Sequence, residues 1–109
     1  RMIMYSVYFI QQVIKGKKGM KPVKIGFSKD PESRIKSLQT ASPYILKVVI
    51  SLPFETKREA EIVEHCMHRL GKVKHKRLCG EWFLMYGSWP NFISESLKMA
   101  EHPIAQSLS

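Results

Sequence analysis

Acidic residues are scarce in this chain: nine Asp and Glu stand against eighteen Lys and Arg, giving a formal net charge of +9. So one-sided a balance favours a polyanionic partner such as DNA or RNA over an acidic protein or a membrane surface. Cysteine is scarcer still. Cys66 and Cys79 cannot build a disulfide framework and are expected to be reduced. The apolar runs are too short to span a bilayer and no secretory cleavage pattern is present. A soluble protein of the cytoplasm or nucleus is therefore expected, inside the host cell if the source is viral, and neither secreted nor membrane-bound. Linkers, low-complexity tracts and internal repeats are missing as well. Residues 1–109 read as one domain, and a hydrophobic fraction of 44% suffices for one core.

What is present alternates in period. Ile3, Tyr5, Val7 and Phe9 fall on one side of an extended segment, Met4, Ser6, Tyr8 and Ile10 on the other. Val23, Ile25 and Phe27 alternate likewise with Lys24 and Gly26. The turn-rich, basic stretch from Lys15 to Pro22 between them predicts an antiparallel hairpin with a long loop. With the apolar faces aligned, Tyr8 and Lys24 project together from the opposite face. Asp30-Pro31 predicts a helix start, running to about Gln39 with Ile35 and Leu38 inward and Arg34 beside that stripe. Ile45 to Leu52, nearly continuous apolar and β-branched, predicts a central strand covered on both faces. Thr56 and Glu59 have capping-box spacing ahead of a helix over 57–70, with Gly71 as its C-cap. Ala60, Val63, Met67 and Leu70 form its buried stripe; Glu61, Glu64, His65 and His68 line an adjoining polar face. After the basic run Lys72 to Arg77, Trp82 to Tyr86 reads as a short strand. A helix over 90–101 follows, with a frayed tail from 103. The expected class is α/β in the α+β sense: a small, mostly antiparallel three-stranded sheet flanked by helices on both sides, in the order β-β-α-β-α-(β)-α.

Five short strings recur to the chemistry in order: Ser6-Val7-Tyr8-Phe9, Lys24-Ile25-Gly26, Arg34, Glu64 with His68, and Gly80-Glu81-Trp82-Phe83. Over about residues 5–86 they make the chain resemble the GIY-YIG nuclease superfamily. The branch it is most similar to is the divergent phage-orf and meiotically up-regulated gene type, with Lys-Ile-Gly at the second motif and a Gly-Glu-Trp-Phe signature. The resemblance implies that Tyr8 is the first-motif tyrosine, Lys24 stands at the second motif and Arg34 is the arginine of the following helix. It implies that Glu64 is the metal-binding glutamate and that His68 completes a Glu-x-x-x-His pattern. The implied activity is endonucleolytic cleavage of DNA with one divalent metal, Mg²⁺ or Mn²⁺. Lys24 replaces the superfamily's second tyrosine, and its usual late asparagine has no clear counterpart.

The same residues make chemical sense on their own. Phosphodiester hydrolysis builds negative charge on the phosphoryl oxygens and the leaving group, so it needs fixed positive groups, help for the leaving oxygen and a base for water. Arg34 can clamp phosphate oxygens bidentately, Lys24 can add a point charge, and Glu64 can supply a hard oxygen ligand. Tyr8 or His68 can move a proton or orient the water. One carboxylate leaves most of the metal shell to water and substrate, which suits magnesium. Contacts to the nucleic acid, expected to be double-stranded DNA, fall to Lys15, Lys17, Lys18 and Lys21 of the hairpin loop and to Lys72, Lys74, Lys76 and Arg77 after the second helix.

Structural readings stand beside these. Tyr8 can be a strand aromatic, Lys24 a solvated strand residue, Arg34 a partner of Glu32 or Asp30, and Glu64 with His68 a solvated helical pair. Two other functions stay open: a non-catalytic DNA-binding module of the same fold, and a zinc-stabilised protein-interaction domain using Cys66, His68, His75 and Cys79. The spacing of that quartet lacks a Cys-x-x-Cys knuckle.

Overall fold

The structure, a computed structural model, describes residues 4–16 and 19–101. Lys17, Lys18, Ile3 and the tail from 103 lie outside the described residues. The elements are β1 (Tyr5–Val13), β2 (Pro22–Ser28), α1 (Pro31–Gln39), β3 (Ile45–Phe54), α2 (Lys57–Lys74), β4 (Lys76–Cys79), β5 (Trp82–Leu84) and α3 (Trp89–Met99). The strands form one sheet in the order β3-β1-β2-β5-β4, with every neighbouring pair antiparallel.

The sheet has five strands where three were expected. The two extra strands form a hairpin, β4 and β5, that turns at Gly80 with φ +55°. All four residues of β4 are exposed, so no period-2 alternation marks it and its basic side chains read as loop. Backbone pairing to β5 alone makes it a strand. The element order is accordingly β-β-α-β-α-β-β-α.

Helices lie on both sides of the sheet, as the unbroken apolar run Val7 to Ile10 requires. On one side Val7, Phe9, Val23 and Ile25 pack with Val63, Met67, Phe83, Phe92 and Leu97, under α2 and α3. On the other, Tyr8, Ile10 and Leu46 pack with Ile35 and Leu38 of α1 and with Trp82. Burying one such large apolar side chain stabilises by about 1.5–3 kcal/mol, so these two layers hold the sheet between the helices.

Two boundaries differ from the sequence reading. The apolar strand β3 is an edge, not a centre: it is paired only to β1. Coverage and position are separate properties, since an edge strand under α1 on one face and the main core on the other is as apolar as a central one. Exposed Lys47 and Pro53, which lacks an N–H, are the edge signals. Helix α2 does begin with the Thr56–Glu59 capping box but runs past Gly71 to Lys74, capped by His75. The residue at 71 is glycine, though inside the helix, because a Cβ there would lie 3.0 Å from the Phe83 ring; it marks close packing rather than a stop. Lys72 and Lys74 are therefore helical. The last helix starts at Trp89 behind the N-cap Ser88 and ends at Met99. Among the described residues no helix is long and apolar enough to cross a membrane.

Candidate active site

β1 and β2 pair with Tyr8 opposite Gly26 and Ile10 opposite Lys24, which sets Tyr8 and Lys24 on the same face, toward α1. The Tyr8 phenol crosses its partner residue. A Cβ at Gly26 would fall 2.5 Å from the Tyr8 hydroxyl oxygen and 2.8 Å from Cζ, so glycine in Lys24-Ile25-Gly26 is a steric requirement. Tyr8 is buried, and burial raises its hydroxyl pKa; Arg34 on α1 opposes this by hydrogen bonding and by its charge. Arg34 itself is exposed, held there because Asp30 caps α1 by accepting from the Ser33 N–H. Among the described residues it makes no ion pair with Asp30 or Glu32.

Lys24 is 7% exposed, and a buried ammonium needs a partner. It donates to Glu81, in the β4–β5 turn. Glu81, within the Gly-Glu-Trp-Phe string, is a functional residue that the sequence reading misses. Its signal was the rarity of acids in this chain, combined with a glycine able to turn the backbone just before it.

Strand β5 pairs with β2 only from Pro22 to Lys24, so at Ile25 the outer edge of β2 is met by the β4–β5 turn and by α2 instead of by a strand. Both backbone groups of Ile25 on that edge are used. Its N–H donates to the Glu81 carbonyl at 3.1 Å, and its carbonyl lies 2.8 Å from His68 Nε2. A carbonyl can only accept, so Nε2 carries the hydrogen and Nδ1 is left as the acceptor. The His68 ring also stands edge-on to Phe83, at 5.5 Å between centroids. One helical turn earlier is Glu64. Its carboxyl pKa is pushed up to about 7 from the ordinary 4.5, first by burial, then by the charge of Glu81, with Lys24 pulling it down.

Glu64, His68 and Glu81 each bring one ligand atom to within 4.8 Å of the others, and they are the only such group among the described residues. Two crowded carboxyls, one of them held partly protonated, offer a divalent cation the oxygen donors it prefers, with the His68 imidazole beside them. The quartet Cys66, His68, His75 and Cys79 is not brought together. The His75 Nδ1 accepts from the Tyr86 N–H at 2.9 Å, and the ring packs against Phe92 with its pKa lowered by burial and by Lys74. Cys66 is buried, and burial raises its thiol pKa, whereas Cys79 is exposed. The zinc-domain reading ends here.

The expected nucleic-acid contacts are scattered. Lys15, Lys72 and Lys76 are exposed and Lys21 is half-buried. Lys74 is taken by Glu95 at 2.7 Å, and the Arg77 Nε–H donates to the Gly80 carbonyl at 2.9 Å, bracing the turn that carries Glu81.

Residues 5–100 match the model of the T5orf172 domain. The chain belongs to the T5orf172 domain family. This is a phage-associated, GIY-YIG-like family of nuclease-like or DNA-binding modules. No curated protein and no solved structure matches the chain. As a T5orf172 domain, it carries its polar constellation around the outer edge of β2, with contributions from β1, β2, α1, α2 and the β4–β5 turn. The sole asparagine of the chain, Asn91, lies in the first turn of α3, where its N–H donates to the Ser88 cap at 3.4 Å.

Proposed function

We propose that this domain is a divalent-metal-dependent endonuclease that cuts phosphodiester bonds in DNA, in the branch marked by Lys24-Ile25-Gly26 and Gly80-Glu81-Trp82-Phe83. One observation carries the reading: Tyr8 beside Arg34, and Lys24 paired to Glu81 beside Glu64 and His68, converge around three residues of β2. A merely structural set would not concentrate a buried ammonium, two carboxyls, a fixed imidazole and an exposed guanidinium there.

Each residue then has a task. Arg34 holds non-bridging phosphate oxygens bidentately and meets the charge that develops on them. Lys24 adds a fixed positive charge from within the fold, kept in place by Glu81. The raised pKa of Tyr8 keeps its proton at neutral pH, so the hydroxyl donates: it orients the attacking water or supports the leaving oxygen. His68 Nδ1, free while Nε2 serves Ile25, accepts a proton from that water. Mg²⁺ or Mn²⁺ would be held by Glu64, with Glu81 as the second carboxylate, the oxygen donors such ions prefer. When bound, such an ion stabilises charge on the phosphoryl group and leaving oxygen.

The test is nicking of supercoiled plasmid in Mg²⁺ or Mn²⁺, lost on Glu64→Ala. Absence of nicking in either metal would leave the second reading, a DNA-binding module of the same fold. That reading draws on Lys24 at the second-tyrosine position and on the missing late asparagine.

A further inference from the structure

Beside Glu64, away from the hairpin loop, a groove of about 460 Å³ runs between the outer edge of β2 at Phe27 and the outer face of α2. Arg58, Ile62, His65 and Arg69 follow one another along that face at helical spacing. Both arginines are exposed and make no ion pair among the described residues. The one other acid in the groove, Glu61, sits 3.9 Å from Lys57 and is partly offset by it. Phe27 and Ile62 give the groove an apolar wall, and Ile62 is 40% exposed. We propose that this groove is the track of the cleaved DNA strand past the scissile phosphate, with Arg58 and Arg69 on phosphates to either side of it and Phe27 and Ile62 against its sugars. The position of the scissile phosphate rests on the nuclease reading above.

The dimensions agree. Eleven residues separate the arginines, about 16 Å at 1.5 Å per residue, with Glu64 near the middle. Phosphates of one strand rise 3.4 Å each along the duplex axis and also wind round it, so fewer than five lie along a strand path of that length. Each arginine then reaches a phosphate one or two away from the one at Glu64. Phe27 lies about 10 Å beyond Lys24 along β2, opposite in direction to Lys15 and Lys21, so the loop lysines are no part of this groove. Guanidinium forks suit phosphate, and an apolar wall takes sugar faces without regard to sequence.

The experiment is equilibrium binding of a labelled duplex in EDTA at several salt concentrations, so that no cleavage is needed. Each lost phosphate contact flattens the log–log salt slope by about 0.9. Arg58→Ala/Arg69→Ala should flatten it by about 1.8 and weaken binding about sixtyfold at 0.1 M salt, with the melting temperature unchanged. Arg58→Lys/Arg69→Lys should restore the slope. An unchanged slope overturns the proposal. So does a loss that the lysine pair fails to rescue, or one that comes with a fall in melting temperature, since the arginines would then be structural. Binding by an acidic protein in place of DNA also overturns it. If the slope falls as stated but no variant or wild type ever cleaves, the track stands and the nuclease reading alone fails.

Discussion

Glu64→Gln should make the metal-free protein more stable above neutral pH, although it removes the residue on which the proposed chemistry depends. Moving a carboxyl from 4.5 in the unfolded chain to about 7 in the fold corresponds to about 3 kcal/mol at 1.36 kcal/mol per pH unit. The sign follows from proton binding. Between these two values the native state holds a proton that the unfolded state has released, so stability falls as pH rises through that window. Below pH 4.5 both states are protonated and the cost vanishes; above pH 7 it is complete. Glutamine, neutral at every pH and similar in shape, escapes it. Thermal unfolding in EDTA should therefore give equal melting temperatures for the two proteins near pH 4.5. Glu64 is only partly buried, so screening by solvent and relaxation of the site reduce the cost to about 2 kcal/mol, and near pH 8 the variant should melt higher by about 10 °C, at about 4–8 °C per kcal/mol for a domain of this size. Adding Mn²⁺ should raise the wild type and leave the variant where it is, because only a ligand that binds the native state shifts the equilibrium. A variant that melts at or below wild type at pH 8, or one whose gain does not depend on pH, would refute the crowding of Glu64 by burial and Glu81.

Three further outcomes are expected. Arg34→Ala should lower plasmid cleavage at least about a hundredfold with no change in melting temperature, since Arg34 is exposed; equal turnover would remove it from the site. Gly26→Ala should cost about 1–3 kcal/mol by driving a methyl into the Tyr8 phenol and should displace the hydroxyl, so both stability and cleavage fall; an unchanged melting temperature would show that the phenol does not cross that residue. Glu81→Gln should bring the Glu64 pKa down, read from the pH dependence of its carboxyl carbon resonance, because it deletes the nearest negative charge; a Glu64 pKa that stays near 7 would mean burial acts alone.

Much of the site was legible because strand alternation is a hard constraint: once Val7, Phe9, Val23 and Ile25 faced one way, Tyr8 and Lys24 had to face the other. The capping box at Thr56 and Glu59 likewise marked the start of the helix in which Glu64 and His68, four residues apart, fall one turn from each other. The missed features depend on contacts distant in sequence. The neighbours of β3 are chosen by chain topology, which local pattern does not encode. β4 has no buried side chain to announce it. The helical place of Gly71 depends on Phe83. Glu81 becomes part of the site only because β5 stops at the level of Lys24 and lets the preceding turn dock on Ile25.

The sheet is open at both ends, with β3 at one margin and β4 at the other. An open margin rich in β-branched residues invites a second molecule to add a strand, the first step toward fibrous aggregates. Val48-Val49-Ile50 is such a segment, and the margins bearing it and its counterpart carry Lys47, Pro53, Lys76 and Arg77. Part of the excess positive charge thus acts as mutual repulsion between copies, whatever it does for a nucleic acid. Engineering that neutralises Lys47, Lys76 and Arg77 to trim nonspecific affinity would remove those gatekeepers, and the yield of monomer would fall before the fold itself did.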